Sequence, residues 1–352
     1  MKLLVTGAAG FAGANIIRHL LKLIPSVSIF GLDNFSRKGS ELNVKELLDL
    51  KVKLLRCDIR SQSDVESIPK VDWIIDCAAI PSVLAGVDGH VSSRQLMEHN
   101  LLGTINLLEY CKRHKAGLIL LSTSRVYSAT QLAALPVEPS NNRFELKQSE
   151  TVGVTTSGIS EDFPISAPLS LYGASKLASE ALILEYGECF DFPVWINRCG
   201  VLAGAGQFGK ADQGIFSYWI HSFREKNSLK YIGFNGTGYQ VRDALHPKDL
   251  VPLLSQQMME PDWEAPKIVN LGGGNENSMS LKKLSFWCQD RFGENEVIAS
   301  NEVRPMDAPW IVMDSTTAQN AWNWHIETKI EDILNEIAQH AEENPNWLCH
   351  TS

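Results

Sequence analysis

A tyrosine and a lysine four residues apart are the pair in this chain best suited to acid–base chemistry. Tyr172 and Lys176 lie in LYGASKLASE, which predicts a helix, so both side chains project from one face about one turn apart. Because an ammonium group favours a phenolate, we expect Lys176 to lower the pKa of Tyr172 from about 10 and allow proton exchange with a substrate alcohol. Thr123, in LILLSTSRVYS at the end of a predicted strand, could hold the reacting oxygen. The same tyrosine–lysine spacing is common on solvated helix faces, so its meaning depends on the rest of the chain.

Glycines near the N-terminus could bring the backbone close to a phosphate group. Residues 3–5 are apolar and predict a buried strand, and the following sequence predicts a helix that begins near Phe11 and Ala12. The glycines at this turn are Gly7, Gly10 and Gly13. Without Cβ atoms they permit a sharp turn and close approach of a diphosphate, and the helix N-terminus favours an anion. We predict a dinucleotide site, with a glycine-rich turn of another parallel α/β protein as the alternative.

A carboxylate at the end of the second predicted strand indicates which dinucleotide binds. Asp33 follows Gly13 by twenty residues and can accept hydrogen bonds from the adenosine ribose hydroxyls. Arg37 and Lys38 follow closely and could instead bind a ribose phosphate. We predict NAD as the cofactor and keep NADP as the alternative.

Further candidate contacts for the dinucleotide lie at the ends of the other predicted strands. Asp58 and Ile59 follow the third strand and would lie beside the adenine. Ala78 and Ala79 end the fourth strand with small side chains, where backbone must run close to the cofactor. Ordinary loops at strand ends are the alternative interpretation of both pairs. The remaining candidates are Asn34, Ser36, Arg37 and Ser122, together with Tyr172 and Lys176, of which Lys176 can also bond the nicotinamide ribose.

The overall composition is that of an acidic globular enzyme. The 352 residues carry a net charge of −9 and are 44% hydrophobic, which argues against nucleic acid or an anionic membrane as the main partner. The seven cysteines include no C-x-x-C pair, and the nine histidines show no metal-ligand spacing. The opening MKLLVTG lacks the features of a signal peptide. We therefore expect a cytoplasmic protein with reduced thiols and no metal.

The order of apolar segments predicts a Rossmann-type α/β fold with a doubly wound parallel sheet. Seven strand-like runs, most of them separated by helical patterns, cover residues 3–5, 27–31, 52–56, 73–77, 118–122, 194–197 and 268–271. We predict an NAD-binding domain over residues 1–200 with a returning strand at about 266–272. Residues 201–265 and 273–352 would form a smaller substrate-binding lobe. Helices near residues 101–111 and 172–186 could pair in a homodimer.

The chain contains four motifs in order, TGAAGFAG, NLLGTINLLE, STSRVY and YGASK, with Asp33 between the first two. This order is typical of the extended short-chain dehydrogenase/reductase family, and nearly the whole chain resembles that family. The resemblance implies a Rossmann fold, tightly held NAD, and Thr123, Tyr172 and Lys176 as catalytic residues. It also implies that Asn100 lies near the cofactor.

Within that family, the chain is most similar to the CDP-paratose 2-epimerase (CDP-tyvelose 2-epimerase) branch of nucleotide-sugar epimerases. The segments that carry this likeness are LDNFSRKGS, CDIRSQSDV, GQFGKADQG and VRDALHPKDL. The resemblance implies epimerisation through a transient ketone and a nucleotide-sugar site lined by Gln207, Phe208, Gln213, Arg242 and Arg304. The two arginines would suit a diphosphate, although each could equally be a solvated surface charge.

Four other functions remain open from the sequence: a nucleotide-sugar 4-epimerase, a 4,6-dehydratase, a reductase with net cofactor turnover and a dinucleotide sensor that catalyses nothing. Dehydratases resemble this chain but place an Asp–Glu pair directly after the catalytic threonine, where this chain has Ser124 and Arg125. A sensor would not require Thr123, Tyr172 and Lys176 together. The segment between Ser128 and Leu171 is long and polar, and we interpret it as a lid or pocket wall.

Overall fold

Seven parallel strands form the central sheet of the computed structural model, which describes residues 1–260 and 264–351. The strands are β1 Lys2–Thr6, β2 Ser28–Asp33, β3 Lys53–Arg56, β4 Trp73–Asp76, β5 Gly117–Thr123, β6 Val137–Ser140, β7 Arg143–Leu146, β8 Val194–Cys199, β9 Val201–Leu202, β10 Leu229–Tyr231, β11 Val241–Leu245, β12 Ile268–Leu271, β13 Ser278–Ser280, β14 Val297–Ala299 and β15 Trp310–Ile311. The central sheet has the order β12-β8-β5-β4-β1-β2-β3. Its strands are the seven that the apolar runs predict, so the Rossmann-type fold class is confirmed.

Helices cover both faces of this sheet. They are α1 Phe11–Leu23, α2 Val44–Asp49, α3 Gln62–Glu66, α4 Ser93–Met97, α5 Gly103–His114, α6 Ala129–Ala133, α7 Leu171–Phe190, α8 Ile215–Arg224, α9 Val251–Met259, α10 Leu281–Phe292, α11 Thr316–Trp322, α12 Ile330–Glu343 and α13 Trp347–Thr351. Leu3 of β1 belongs to the apolar cluster that includes Ile16 of α1, whereas Leu4 belongs to the cluster of Leu107 and Ile183 on α5 and α7. Successive side chains of a strand point to opposite faces, so continuous apolar runs result when both faces are buried.

The chain after Gly200 builds a second group of elements beside the carboxyl ends of the strands. Strands β9, β11, β13 and β15 form a small mixed sheet, and β10 pairs with β14. Trp219 of α8, Leu284 of α10 and Ile333 of α12 share one apolar cluster here. Strand β12 returns to the central sheet, where Ile268 pairs with Ile196 of β8.

The long segment between β5 and α7 is ordered and lies against the second group of elements. It contains α6 and the antiparallel hairpin of β6 and β7. Its Phe163 shares an apolar cluster with Trp310 and Met313, and the backbone N–H of Phe144 donates to the carbonyl of Tyr239 at 2.9 Å. Because this segment bridges both groups, the proposed domain boundary at residue 200 stays a prediction.

Candidate functional site

The turn between β1 and α1 has no room for a side chain at Gly7 or Gly13. Gly7 has a φ of +59°, and a Cβ atom on it would lie 3.1 Å from the backbone of Ala78. A Cβ atom on Gly13 would lie 2.3 Å from the carbonyl oxygen of Gly7, closer than real Cβ atoms approach. The backbone N–H groups at the start of α1 therefore remain open to an anionic group, as a dinucleotide diphosphate requires.

Asp33 lies at the end of β2 beside this turn. Its carboxylate accepts hydrogen bonds from the backbone N–H groups of Ala9 at 2.9 Å and Phe35 at 2.8 Å. Burial raises the pKa of Asp33, although these bonds oppose the shift. Asp33 lines a cleft beside the turn, where its carboxylate can accept hydrogen bonds from ribose hydroxyls. The residues present at the turn and at Asp33 thus fit NAD.

One cleft of about 360 Å³ lies at the carboxyl ends of the central strands, where open parallel sheets bind ligands. Its wall contains eighteen of the residues that the sequence singled out: Gly7, Gly10, Phe11, Ala12, Gly13, Asp33, Asn34, Ser36, Arg37, Ile59, Ala78, Ala79, Ser122, Thr123, Tyr172, Gln207, Phe208 and Gln213. Arg37 crosses the cleft, because its Nη2 donates to the carbonyl of Phe208 at 2.8 Å. The fold therefore brings most of the candidates for cofactor and substrate to one place.

Three predicted cofactor residues, Asp58, Asn100 and Lys176, lie outside the cleft wall, and the first two hold neighbouring elements instead. Asp58 pairs with Arg60 at 2.7 Å and accepts from the amide of Asn34 at 3.1 Å. Burial alone would raise the pKa of Asp58, but these bonds lower it overall. Asn100, in the π-helical turn Glu98–Leu102, accepts from the N–H of Ile80 at 2.8 Å and donates to Ser175 at 3.1 Å. Asn100 thereby fixes the loop after β4 against α7.

The catalytic candidates Thr123 and Tyr172 both line the cleft, and both are buried. Burial raises the pKa of Tyr172 to about 12, while the hydroxyl of Thr123 and the charge of Arg125 oppose the shift. The expectation that the pKa of Tyr172 lies below 10 is therefore wrong, because burial outweighs the favourable charges. Lys176 is itself only 2% exposed, and its burial lowers its pKa, although Asp76 and other neighbouring groups favour the charged form. Desolvation outweighs the pairwise charge effect that the sequence suggested.

A buried ion pair fixes α7 to the strands behind the catalytic residues. Arg198 of β8 donates to Glu180 of α7 at 2.7 Å, and both side chains are nearly inaccessible. Ser122 Oγ donates to the same carboxylate at 2.5 Å. Since Ser122 precedes Thr123 and Glu180 lies one turn beyond Lys176, this network ties the two catalytic elements together.

Three arginines meet in a second, smaller cavity of about 100 Å³ that adjoins the cleft. Arg242 Nη2 donates to Asp307 Oδ1 at 2.6 Å, and Arg304 Nη2 donates to the carbonyl of Asp212 at 3.3 Å. The third arginine is Arg125, which lines both cavities, as Gln213 does. The arrangement places an excess of positive charge next to the catalytic residues.

Several lining residues escaped the sequence analysis. Asp307 is buried, and its Oδ2 has no hydrogen-bond donor within residues 1–260 and 264–351. Asp212 Oδ2 accepts from Ser82 Oγ at 2.5 Å and so joins two walls of the site. Little in the sequence indicates that these residues line the site. Asp307 follows Arg304 by three residues. Arg125 follows Thr123 by two residues, and from the sequence it marks only a difference from dehydratases.

Comparison with known proteins agrees with this geometry. Residues 3–272 match the NAD dependent epimerase/dehydratase family. The chain is 27% identical over 345 residues to the CDP-paratose 2-epimerase of Salmonella typhi, covering 96% of this chain and 98% of that protein. It is 25% identical over 358 residues to the UDP-glucuronate 4-epimerase of Thermodesulfobacterium geofontis, covering 97% and 96%.

Solved structures show the same fold. The UDP-glucuronic acid 4-epimerase of Bacillus cereus, in complex with UDP-glucuronic acid and NAD, has a TM-score of 0.79 at 23% identity and covers 97% of this chain and 99% of its own. The fold and the cleft define an NAD-dependent enzyme of the Rossmann type. The chain belongs to the NAD dependent epimerase/dehydratase family, within the extended short-chain dehydrogenases/reductases. Among residues 1–260 and 264–351, no helix combines the length and apolar character needed to cross a membrane.

Proposed function

We propose that this enzyme is a nucleotide-sugar 2-epimerase of the CDP-paratose/CDP-tyvelose type. The observation that carries the proposal is that Thr123 and Tyr172 line one cleft together with Ser124 and Arg125, the two residues that follow Thr123. The likeness to the Salmonella typhi 2-epimerase over almost the whole of both chains supports the choice of C2. We also propose that the protein is cytoplasmic and forms a homodimer through α5 and α7.

The catalytic roles follow from the positions of the three side chains. NAD supplies, when bound, a reversible acceptor for a hydride from the substrate carbon, so that the sugar passes through a ketone. Tyr172 takes the proton of the reacting hydroxyl and returns it, and Thr123 holds that oxygen by a hydrogen bond. Lys176, buried behind the cleft near Asp76, supplies positive charge beneath the cofactor site.

The substrate side of the proposal rests on charge complementarity. A nucleotide diphosphate carries about two negative charges, and the cavity offers three arginines against the two carboxylates of Asp212 and Asp307. Gln207, Phe208 and Gln213, which line the cleft between both sites, would face the sugar.

Elimination of water is disfavoured by the residues that follow Thr123. A dehydratase needs an acid and a base next to the sugar, and Ser124 and Arg125 occupy those positions. A hydroxyl and an arginine cannot exchange protons efficiently near neutral pH. A 4-epimerase is the second candidate, because it needs only the same catalytic side chains and the Thermodesulfobacterium geofontis relative carries that name.

Deuterium placement tests the proposed function. The purified protein should contain bound NAD and should convert a CDP-sugar without added cofactor, since each cycle restores NAD. CDP-, UDP-, GDP- and dTDP-sugars deuterated at C2 or at C4 are compared by product analysis and rate. Slow turnover with the C2 label, and retention of that label at C2, support the proposal. An isotope effect from C4 alone, or dependence on stoichiometric NADPH, refutes it.

A further inference from the structure

Arg125 occupies the junction between the cleft and the second cavity. It lies on the short 3-10 helix Ser124–Val126 that directly follows β5, two residues after Thr123. Its side chain lines both cavities, and its charge acts on Tyr172. A substrate group bound by Arg125 would therefore be attached close to the carbon whose hydroxyl meets Tyr172.

The charge of Arg125 is poorly compensated by the protein itself. Its closest hydrogen bond is from Nη1 to the carbonyl of Met306, at a long 3.4 Å. Within residues 1–260 and 264–351 it has no carboxylate at ion-pair distance, whereas Arg242 is paired with Asp307 at 2.6 Å. Removal from solvent and the nearby charges of Arg242 and Arg304 lower the pKa of Arg125 to about 10. The guanidinium group is thus placed to receive an anion from the substrate.

The position of that anion on a nucleotide sugar depends on which carbon reacts. In a nucleotide sugar, C1 carries the diphosphate and is bonded to C2, whereas C4 lies across the ring from C1. If C2 faces Tyr172, the sugar-linked phosphate lies directly beside the reacting carbon. If C4 faces Tyr172, the adjacent carbons are C3 and C5, and neither carries an anion unless the sugar is a uronic acid, whose carboxylate is attached to C5.

We propose that Arg125 binds the sugar-linked phosphate and is the specificity-determining residue that selects C2 over C4 for hydride transfer. This inference rests on the proposed function, because it explains how the same catalytic residues choose their carbon. Asp307 is paired with Arg242, and Asp212 also lines the cavity, so within the described residues Arg125 and Arg304 are the two guanidinium groups of this cavity without a carboxylate at ion-pair distance that can bind a diphosphate. The two arginines would then hold opposite ends of the diphosphate.

Binding measurements test the phosphate contact without relying on turnover. CMP and CDP, and in parallel UMP and UDP, are titrated into the wild type, Arg125→Met, Arg125→Lys and Arg224→Met. Arg224 is an exposed arginine at the end of α8 and serves as the matched control. Loss of a charge-assisted hydrogen bond should weaken diphosphate binding by roughly 10- to 100-fold in Arg125→Met. Monophosphate binding should stay unchanged, which also shows that the variant is folded. An equal affinity of Arg125→Met and wild type for the diphosphate would overturn the inference.

Labelled substrates test the choice of carbon. In Arg125→Met the preference for hydride transfer from C2 over C4 should fall at least tenfold. Arg125→Lys keeps the positive charge but not the forked donor geometry of the guanidinium group, so its preference should lie between those of the wild type and Arg125→Met. If the wild type uses C2 and Arg125→Met keeps the full preference, the inference fails while the proposed function stands. If the wild type uses C4, both fail. Rapid turnover of UDP-glucuronate that Arg125→Met loses would instead assign Arg125 to a sugar carboxylate.

Discussion

At the scale of single residues, desolvation controls the proton affinity of the catalytic tyrosine. Tyr172 is 7% exposed, and its pKa of about 12 keeps it largely as the neutral phenol near pH 7. A phenol in this state is ready to donate a proton to the ketone, whereas acting as a base needs the help of a positive charge nearby. Arg125 provides part of that charge, which gives it a second effect on the reaction.

Replacement of Tyr172 by phenylalanine separates chemistry from binding. Tyr172→Phe keeps the ring and removes the hydroxyl that exchanges the proton, so kcat should fall by about 10² to 10⁴. Affinity for CDP should be unchanged, as measured by titration calorimetry. Tyr186→Phe, a change on the same helix at a half-buried position, is the control and should keep its kcat. A near-normal kcat in Tyr172→Phe would make Tyr172 a packing residue only.

At the scale of elements, the turn from β1 to α1 depends on close backbone contact. Gly13 lies against the carbonyl of Gly7, and Gly7 lies against Ala78 at the end of β4. In the candidate cofactor site, backbone therefore packs directly against backbone at Gly7 and Gly13. The addition of one methyl group here should destabilise the fold, because tightly packed regions tolerate little added volume.

Gly13→Ala should lose bound NAD and destabilise the protein by about 1–3 kcal/mol, since its Cβ atom would lie 2.3 Å from the Gly7 oxygen. The NAD content after purification and urea unfolding measure the two effects. Gly89→Ala is the control: Gly89 has a φ of +79° but no atom within 4 Å of an added Cβ atom. That change should cost about 1 kcal/mol through backbone strain and leave the NAD content unchanged. A fully NAD-loaded Gly13→Ala protein would contradict the close-packed turn.

At the scale of the whole molecule, a buried carboxylate joins the central sheet to the elements that follow it. Asp243 of β11 is completely buried and accepts hydrogen bonds from the N–H groups of Met313 at 3.1 Å and Gly274 at 3.3 Å. It also lies against Gly200 and Gly272, at the ends of β8 and β12. Its Oδ1 has no hydrogen-bond donor within the described part of the chain.

The pH dependence of stability should reflect this carboxylate. Burial raises the pKa of Asp243 from its ordinary 3.8 to about 6, so its protonated form stabilises the fold fully below about pH 4, and that contribution is lost as the pH rises through 6. The Asp243→Asn variant carries no charge at this position at either pH. The difference between its unfolding free energy and that of the wild type should therefore change by about 2–3 kcal/mol in favour of the variant between pH 4 and pH 7.5. Urea unfolding across this range measures the difference. Asp290→Asn, at an exposed site on α10, should show no such gain, and a flat difference for Asp243→Asn would refute the assignment.

The central sheet and most residues of the candidate cofactor site could be predicted from the sequence. Apolar runs such as residues 118–122 predict buried parallel strands, because both faces of such strands must avoid water. Gly7, Gly13 and Asp33 were recognisable because a glycine turn and a carboxylate at fixed spacing serve one local structure. Residues that belong to one local structure can be identified without knowing how distant segments of the chain pack.

Tertiary structure alone decided the electrostatics of the site. The spacing of Tyr172 and Lys176 suggested a lowered pKa, but burial by segments far away in the chain raises it. Arg125 and Asp307 are 182 positions apart, and only the folded chain places them in one cavity. Desolvation and the sum of charges in a cavity depend on every neighbouring segment, so they follow from the three-dimensional arrangement and not from sequence spacing.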